Sequence, residues 1–160
     1  MSAEPTLVVS KIRSGTVIDH IPAGKALDIL RILGITGREG LRIAIIMNVE
    51  SKKMGRKDII KIEGKRLSPQ DLDIIALVAP TATVNIIEDF KVIEKHKVSI
   101  PNEIVGILVC PNPTCMSNKK GEPIKSRFRV ISRDPLRLQC EYCGTIVSGE
   151  EVPKLVTRQI

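Results

Sequence analysis

Four cysteines constrain this chain more than any other feature. Cys110-Pro-Asn-Pro-Thr-Cys115 is followed, after about two dozen residues, by Cys140-Glu-Tyr-Cys143, and no cysteine precedes residue 110. Each pair can sit on a tight loop that turns two sulfurs toward one point. Four thiolates satisfy the tetrahedral preference of Zn²⁺ and leave no position for water, so the spacing predicts one structural zinc ion rather than a catalytic one. The cysteine-bearing tail has about 60 residues and few large apolar side chains, too little to bury a core unaided. Metal binding there becomes folding energy. A disulfide pair, four unrelated buried thiols and an iron–sulfur cluster are the competing readings. The spacing does not say what such a module docks against. Lys119, Lys120, Lys125, Arg127, Arg129, Arg133 and Arg137 serve equally as nucleic-acid contacts or as a solubilising surface, which keeps a zinc-ribbon nucleic-acid-binding protein as the alternative reading.

The compartment follows from what is missing. The first ten residues carry neither a basic n-region nor an apolar h-region. The longest apolar runs, residues 43–47 and 107–110, fall far short of the ~20 residues of a membrane span. A cytoplasmic protein without membrane contact is expected, and in reducing surroundings four cysteines favour metal over disulfides. Aromatic residues make up only 2% of the chain, so the core must be Ile, Val and Leu. The stacking platforms of single-strand binders are lacking. A net charge of +7 permits a polyanionic partner, but the cations are scattered and interrupted by acids.

Ahead of the cysteines the pattern reads strand, helix, strand, strand, helix, strand. Residues 7–18 are β-rich, with Gly15 as a bend. Ala26, Ile29, Leu30 and Leu33 recur at helical spacing and Gly34 closes that segment. Residues 41–49 are dense in Ile and are read as the middle of a sheet. Residues 55–63 alternate, with Ile60 and Ile62 on one face and Lys57, Ile59 and Lys61 on the other. Ser68 and Pro69 start a second helix that Pro80 ends. Residues 81–95 supply further β structure. This βαββαβ order predicts an α+β chain: a ferredoxin-like antiparallel sheet with two helices on one face, then a small all-β zinc-binding domain. The predicted boundaries are 1–100 and 101–160. The sheet face without helices calls for a cover or partner, which makes the first domain a candidate dimerisation unit.

Candidate binding residues converge in the first domain. Asp19 and His20 stand at a strand end, Lys57 and Lys61 share one strand face, and Lys95 follows the last strand. Cations fixed on strands suit a triphosphate, and a carboxylate suits hydroxyl or amino groups. Bland readings stand beside these: a hydrogen-bonded structural histidine, and the wet face of a strand. No P-loop is present, because Gly34-Ile-Thr-Gly-Arg-Glu-Gly40 lacks the Lys-Ser/Thr ending and follows a helix. With His20 and His96 the only histidines and the cysteines committed to metal, no catalytic constellation exists and enzyme activity is not expected.

Four longer motifs carry a resemblance: Gly15-Thr-Val-Ile-Asp-His-Ile-Pro-Ala23, Met54-Gly-Arg-Lys-Asp-Ile-Ile-Lys-Ile-Glu63, Ala79-Pro-Thr-Ala-Thr-Val-Asn85, and Val109-Cys-Pro-Asn112 with Cys140-Glu-Tyr-Cys143. In this order they resemble the regulatory chain of aspartate carbamoyltransferase over nearly the whole length. The resemblance implies a non-catalytic subunit that tunes the first committed step of pyrimidine biosynthesis. It implies a regulatory homodimer made through the N-terminal domains, three such dimers bridging two catalytic trimers, each zinc domain seated on a catalytic chain. It implies inhibition by CTP, often with UTP, and activation by ATP. Carried over by motif position, Val9, Ser10, Lys11 and Ile12 should lie against the base, with Val17, Ile87, Phe90 and Val92 nearby. Asp19, Lys61 and Lys95 should recognise ribose and triphosphate, helped by His20 and Lys57. Backbone around Asn85 and Ile87 should read the base edge. The family often has an acidic residue where Ser10 stands and a small one where Lys11 stands, which leaves the polarity of the effectors open.

Overall fold

Strands and helices alternate as the sequence pattern requires, in a computed structural model that describes residues 11–121 and 123–156. β1 (Gly15–Pro22), α1 (Ala26–Ile32), β2 (Ile43–Ser51), β3 (Gly55–Glu63), α2 (Pro69–Val78), β4 (Thr83–Glu88) and β5 (Lys91–Lys97) build the first unit. Its antiparallel sheet runs β2-β3-β1-β4-β5. The first four strands in that order are the ferredoxin-like arrangement, and β5 adds a further edge.

Local chemistry explains the helix limits. Ser68 accepts the Asp71 N–H while Asp71 accepts the Ser68 N–H, a capping box with Pro69 in the first turn. At the end of α1, Gly34 takes φ 72° and its N–H reaches the Arg31 carbonyl at 3.0 Å, a left-handed closure that glycine makes cheaply. The start of α1 has no side-chain cap of its own. The fully buried Asp58 of β3 supplies one: its Oδ2 accepts Gly24 N–H at 2.9 Å and Ala26 N–H at 3.0 Å, and its Oδ1 accepts Asn48 N–H at 2.9 Å. One carboxylate thus ties three elements together. Orphaning a buried N–H costs about 1–3 kcal/mol, so Asp58→Ala should lower the unfolding free energy by about 3 kcal/mol or more in denaturant titration. A loss near zero would mean that water replaces all three contacts.

The two sheet faces differ. Thr16, Ile18, Ile60, Ile62, Val84 and Ile86 are buried beneath the helices. The other face carries Val17, Lys61, Asn85 and Lys95 in one cross-strand row, fixed by the pairs Ala44↔Lys61, Val17↔Lys61, Val17↔Asn85 and Asn85↔Lys95.

Three details differ from the expectation. Strand β2 is at an edge, not in the middle: its Ile-rich run reads as doubly buried, yet Ile45 is 39% exposed and its neighbours only half-buried. The stretch 81–95 is a hairpin, not one strand, because Asp89 (φ 48°) and Phe90 (φ 65°) turn it in left-handed geometry. The first strand extends beyond Ile18 to Pro22 across a bulge at Asp19–His20; the part of the expected strand at residues 7–10 lies outside the described residues.

The second sheet runs β6-β7-β8-β9, formed by β6 (Glu103–Val105), β7 (Arg127–Arg133), β8 (Leu136–Cys140) and β9 (Ile146–Ser148). A short α3 (Val152–Leu155), absent from the sequence expectation, packs on α1 and α2. Phe128, Leu138, Val147 and Val152 join the helices and first sheet in one apolar cluster. The connecting strap is clasped from β7: the Arg133 guanidinium donates to the Ile100 carbonyl and to Asn102 Oδ1, and Val130 N–H donates to the Asn102 carbonyl at 3.0 Å.

Candidate functional site

The thiol groups of Cys110, Cys115, Cys140 and Cys143 converge, all four sulfurs lying within 4.8 Å of one another. Cys110 and Cys143 Sγ are 3.6 Å apart, and Cys115 and Cys140 Sγ 3.7 Å. A disulfide requires about 2.05 Å, so these are free thiols. Four ligands at about 2.3 Å from a central zinc would be about 3.8 Å apart, close to both observed separations. The space suits one ion rather than a multi-iron cluster. The knuckles are built locally: Asn118 Nδ2 donates to the carbonyls of Cys110 and Asn112 at 2.8 Å each, and Gly144 N–H donates to the Cys140 carbonyl at 2.9 Å. Burial pushes the Cys110 thiol up to about 12, whereas hydrogen bonds from Thr145 bring the exposed Cys143 down to about 6. The two thiols are thus shifted in opposite directions, Cys143 toward the thiolate that a cation needs and Cys110 away from it. Ligation releases protons, so metal affinity should fall as the pH is lowered.

Three of the basic residues between the cysteine pairs are engaged within the domain. Arg127 pairs with Glu103 and Glu141, Arg129 donates to Gln139 Oε1 at 3.2 Å, and Arg133 holds the strap. Around the thiol cluster Val109, Met116, Tyr142 and Ile146 are exposed apolar side chains.

The second site lies on the helix-free face of the first sheet. A cavity of about 370 Å³ is lined by Lys11, Ile12, Val17, Asp19, Ile59, Lys61, Asn85, Ile87, Phe90 and Val92. Nine of these are residues singled out from sequence. Ile59 was missed, although its parity with Lys57 and Lys61 places it on this face. Apolar walls come from β1, β3, β4 and β5, with one carboxylate, Asp19, and two ammonium groups, Lys11 and Lys61, set into them. Phe90 occupies a left-handed turn position where Asn or Gly is the unstrained choice. A bulky residue held there against local preference is the kind of rule-breaking found at functional sites. On the cavity floor, the buried Asn85 Oδ1 has no hydrogen-bond partner among the described residues.

Asp19 is held from two sides. Lys57 Nζ lies 2.9 Å from its Oδ1, and His20 N–H donates to the same oxygen at 2.6 Å. Burial pushes the Asp19 carboxyl up, but the Lys57 hydrogen bond and charge and the His20 N–H outweigh it, leaving the group below its ordinary range. The other predicted residues separate. Lys95 shares the cross-strand row with Asn85 and Lys61 but is exposed beside the cavity rather than lining it. His20, at φ 56° in the bulge, turns to a neighbouring cavity with Lys53, Thr81 and Lys97, its Nδ1 3.0 Å from Thr83 Oγ1. Val9 and Ser10 lie outside the described residues.

Residues 7–99 match the family model "aspartate carbamoyltransferase regulatory chain, allosteric domain", and residues 102–153 match "aspartate carbamoyltransferase regulatory chain, metal binding domain". Proteins named aspartate carbamoyltransferase regulatory chain are similar throughout. That of Hyperthermus butylicus is 62% identical over 152 residues, covering 95% of each chain. That of Staphylothermus marinus is 61% identical over 146 residues, 91% of this chain and 89% of the relative. That of Thermococcus gammatolerans is 57% identical over 148 residues, 92% and 97%.

Proposed function

This chain belongs to the aspartate carbamoyltransferase regulatory chain family, the non-catalytic side of that enzyme, and from that premise we propose that it senses CTP, UTP and ATP in the sheet-face cavity and relays their binding to catalytic chains. The observation that carries this reading is the cavity's make-up. Apolar walls from four strands suit a base, Asp19 suits ribose hydroxyls, and Lys61, with Lys95 beside it, suits phosphates. Val9, Ser10, Lys11, Ile12, Val17, Ile87, Phe90 and Val92 are assigned to the base side, Asn85 to its edge, and His20 and Lys57 to the polar end. The orphan Asn85 oxygen supports a ligand with a donor to offer, since an unpaired buried acceptor costs about 1–3 kcal/mol.

The chain works as two domains, 1–100 and 101–160, a division supported by the two separate sheets and by family models that meet near residue 100. Zn²⁺ is the ion assigned to the four thiolates, one per chain, on the strength of donor type and sulfur spacing. The zinc domain docks on a catalytic chain through the exposed Val109, Met116 and Tyr142 surface. Homodimerisation through the first domain draws support from the edges of its sheet. Strand β5 protects itself with Lys91, Lys95 and Lys97, as edge strands do, whereas β2 presents Ile43 to Met47 without a charge. The arrangement of three dimers between two catalytic trimers is part of the same proposal, as is a cytoplasmic setting; among the described residues no helix is long and apolar enough to cross a membrane.

Calorimetric titration of the chain with CTP, UTP and ATP tests the reading. Saturable binding of at least one, competed by the others, is expected. Heats that never rise above dilution for all three would remove it.

A further inference from the structure

We propose that Lys57 is a positioning residue: it holds Asp19 in place to receive a ligand's hydroxyl groups and does not itself grip phosphate. This rests on the reading of the cavity as a nucleotide site. Lys57 and Lys61 look equivalent on one strand, and the family resemblance groups them. Their surroundings differ. Lys61 and Ile59 line the cavity; Lys57 does not, although Asp19 does. Lys57 reaches Asp19 Oδ1 at 2.9 Å with both side chains mostly covered, 18% and 24% exposed. An ammonium already engaged with a carboxylate at that depth must give up the pair before it can meet a phosphate, and breaking such a pair leaves the carboxylate uncompensated.

The geometry also explains what the pair does. Oδ1 is taken by Lys57 and by the His20 N–H at 2.6 Å. One donor is a side chain rooted on β3, Lys57 opposite Pro22, and the other is backbone, the His20 N–H in the β1 bulge at φ 56°. With one oxygen clamped from two sides, the carboxylate plane is set, and the second oxygen is the one Asp19 offers to the cavity. A carboxylate accepting from vicinal hydroxyls needs this fixed orientation more than it needs another charge.

Competition binding with three probes separates the roles: CTP, cytidine, and 2′,3′-dideoxycytidine triphosphate. In Lys57→Met, affinity for CTP and for cytidine should fall by the same factor, about tenfold, while the dideoxy triphosphate is unaffected. Lys57→Arg should restore most of the loss. Combining Lys57→Met with Asp19→Asn should weaken CTP no further than Asp19→Asn alone. A loss confined to the two triphosphates would establish a direct phosphate contact and overturn the proposal. An equal loss for all three probes would mark a merely structural lysine and also overturn it. Absence of CTP binding by the unaltered chain would instead remove the nucleotide reading, and the proposal with it. Should Lys57→Met fail to fold, Lys57→Gln gives the same comparison.

Discussion

A chain stripped of its metal by a chelator at neutral pH is expected to lose the second sheet's cysteine knuckles and its ability to join catalytic chains, while the first domain stays folded. Structural Zn²⁺ contributes about 10–16 kcal/mol in small zinc modules, far more than the few apolar side chains of this one can replace. Cys110, Cys115 and Cys140 are buried within the same cluster as Phe128, Leu138 and Val147. Without the ion, four sulfurs within 4.8 Å of one another repel as thiolates or sit as poorly packed thiols. Tyr142 gives a local probe, because it is the chain's one tyrosine, there is no tryptophan, and it stands in the Cys140–Cys143 knuckle with its hydroxyl donating to the Lys125 carbonyl at 3.1 Å. Its emission should change with metal removal and recover on adding zinc. Sedimentation with catalytic chains should show no complex for Cys143→Ser. A metal-free chain that still assembles would refute the docking role.

Replacing Lys61 and Lys95 together with alanine should abolish the nucleotide response and spare assembly. Both stand in the cross-strand row through Val17 and Asn85, on the helix-free face of the first sheet. A hydrogen bond to a charged group contributes about 1.5–3 kcal/mol, so the pair should weaken triphosphate binding by about 10²–10⁴-fold. Calorimetry measures the loss, and native mass measurement with catalytic chains checks that the complex persists. Failure to assemble would count against the separation of sensing from docking.

The pattern of the sequence reached these sites unevenly. Strand parity was enough to put Lys57, Ile59 and Lys61 on the open face and Ile60 and Ile62 inside. The same parity puts Asp58 inside, where it caps α1 and pins Asn48, a role that nothing local announces because its three partners lie 10 to 34 residues away. The edge position of β2 was hidden for a related reason: an Ile-rich run reads alike whether covered by the same chain or by another. The hairpin at Asp89-Phe90 escaped notice because Phe is a poor residue for a left-handed turn; its place on the cavity wall supplies the compensating interest. Cysteine spacing, by contrast, predicted a cluster that the fold delivers. What sequence could not separate was Lys57 from Lys61, since the difference is which side chain meets Asp19.

Occupancy of the first-domain cavity is expected to change the behaviour of a catalytic partner held by the cysteine-bearing module. An effector does so only by binding two states of the assembly unequally. The most direct measurement is aspartate saturation of the reconstituted complex with and without saturating CTP. A shift in half-saturation in the roughly 5–150-fold range of typical allosteric couplings is expected, absent in Lys61→Ala/Lys95→Ala complexes. Superimposable curves with the nucleotide fully bound would contradict it.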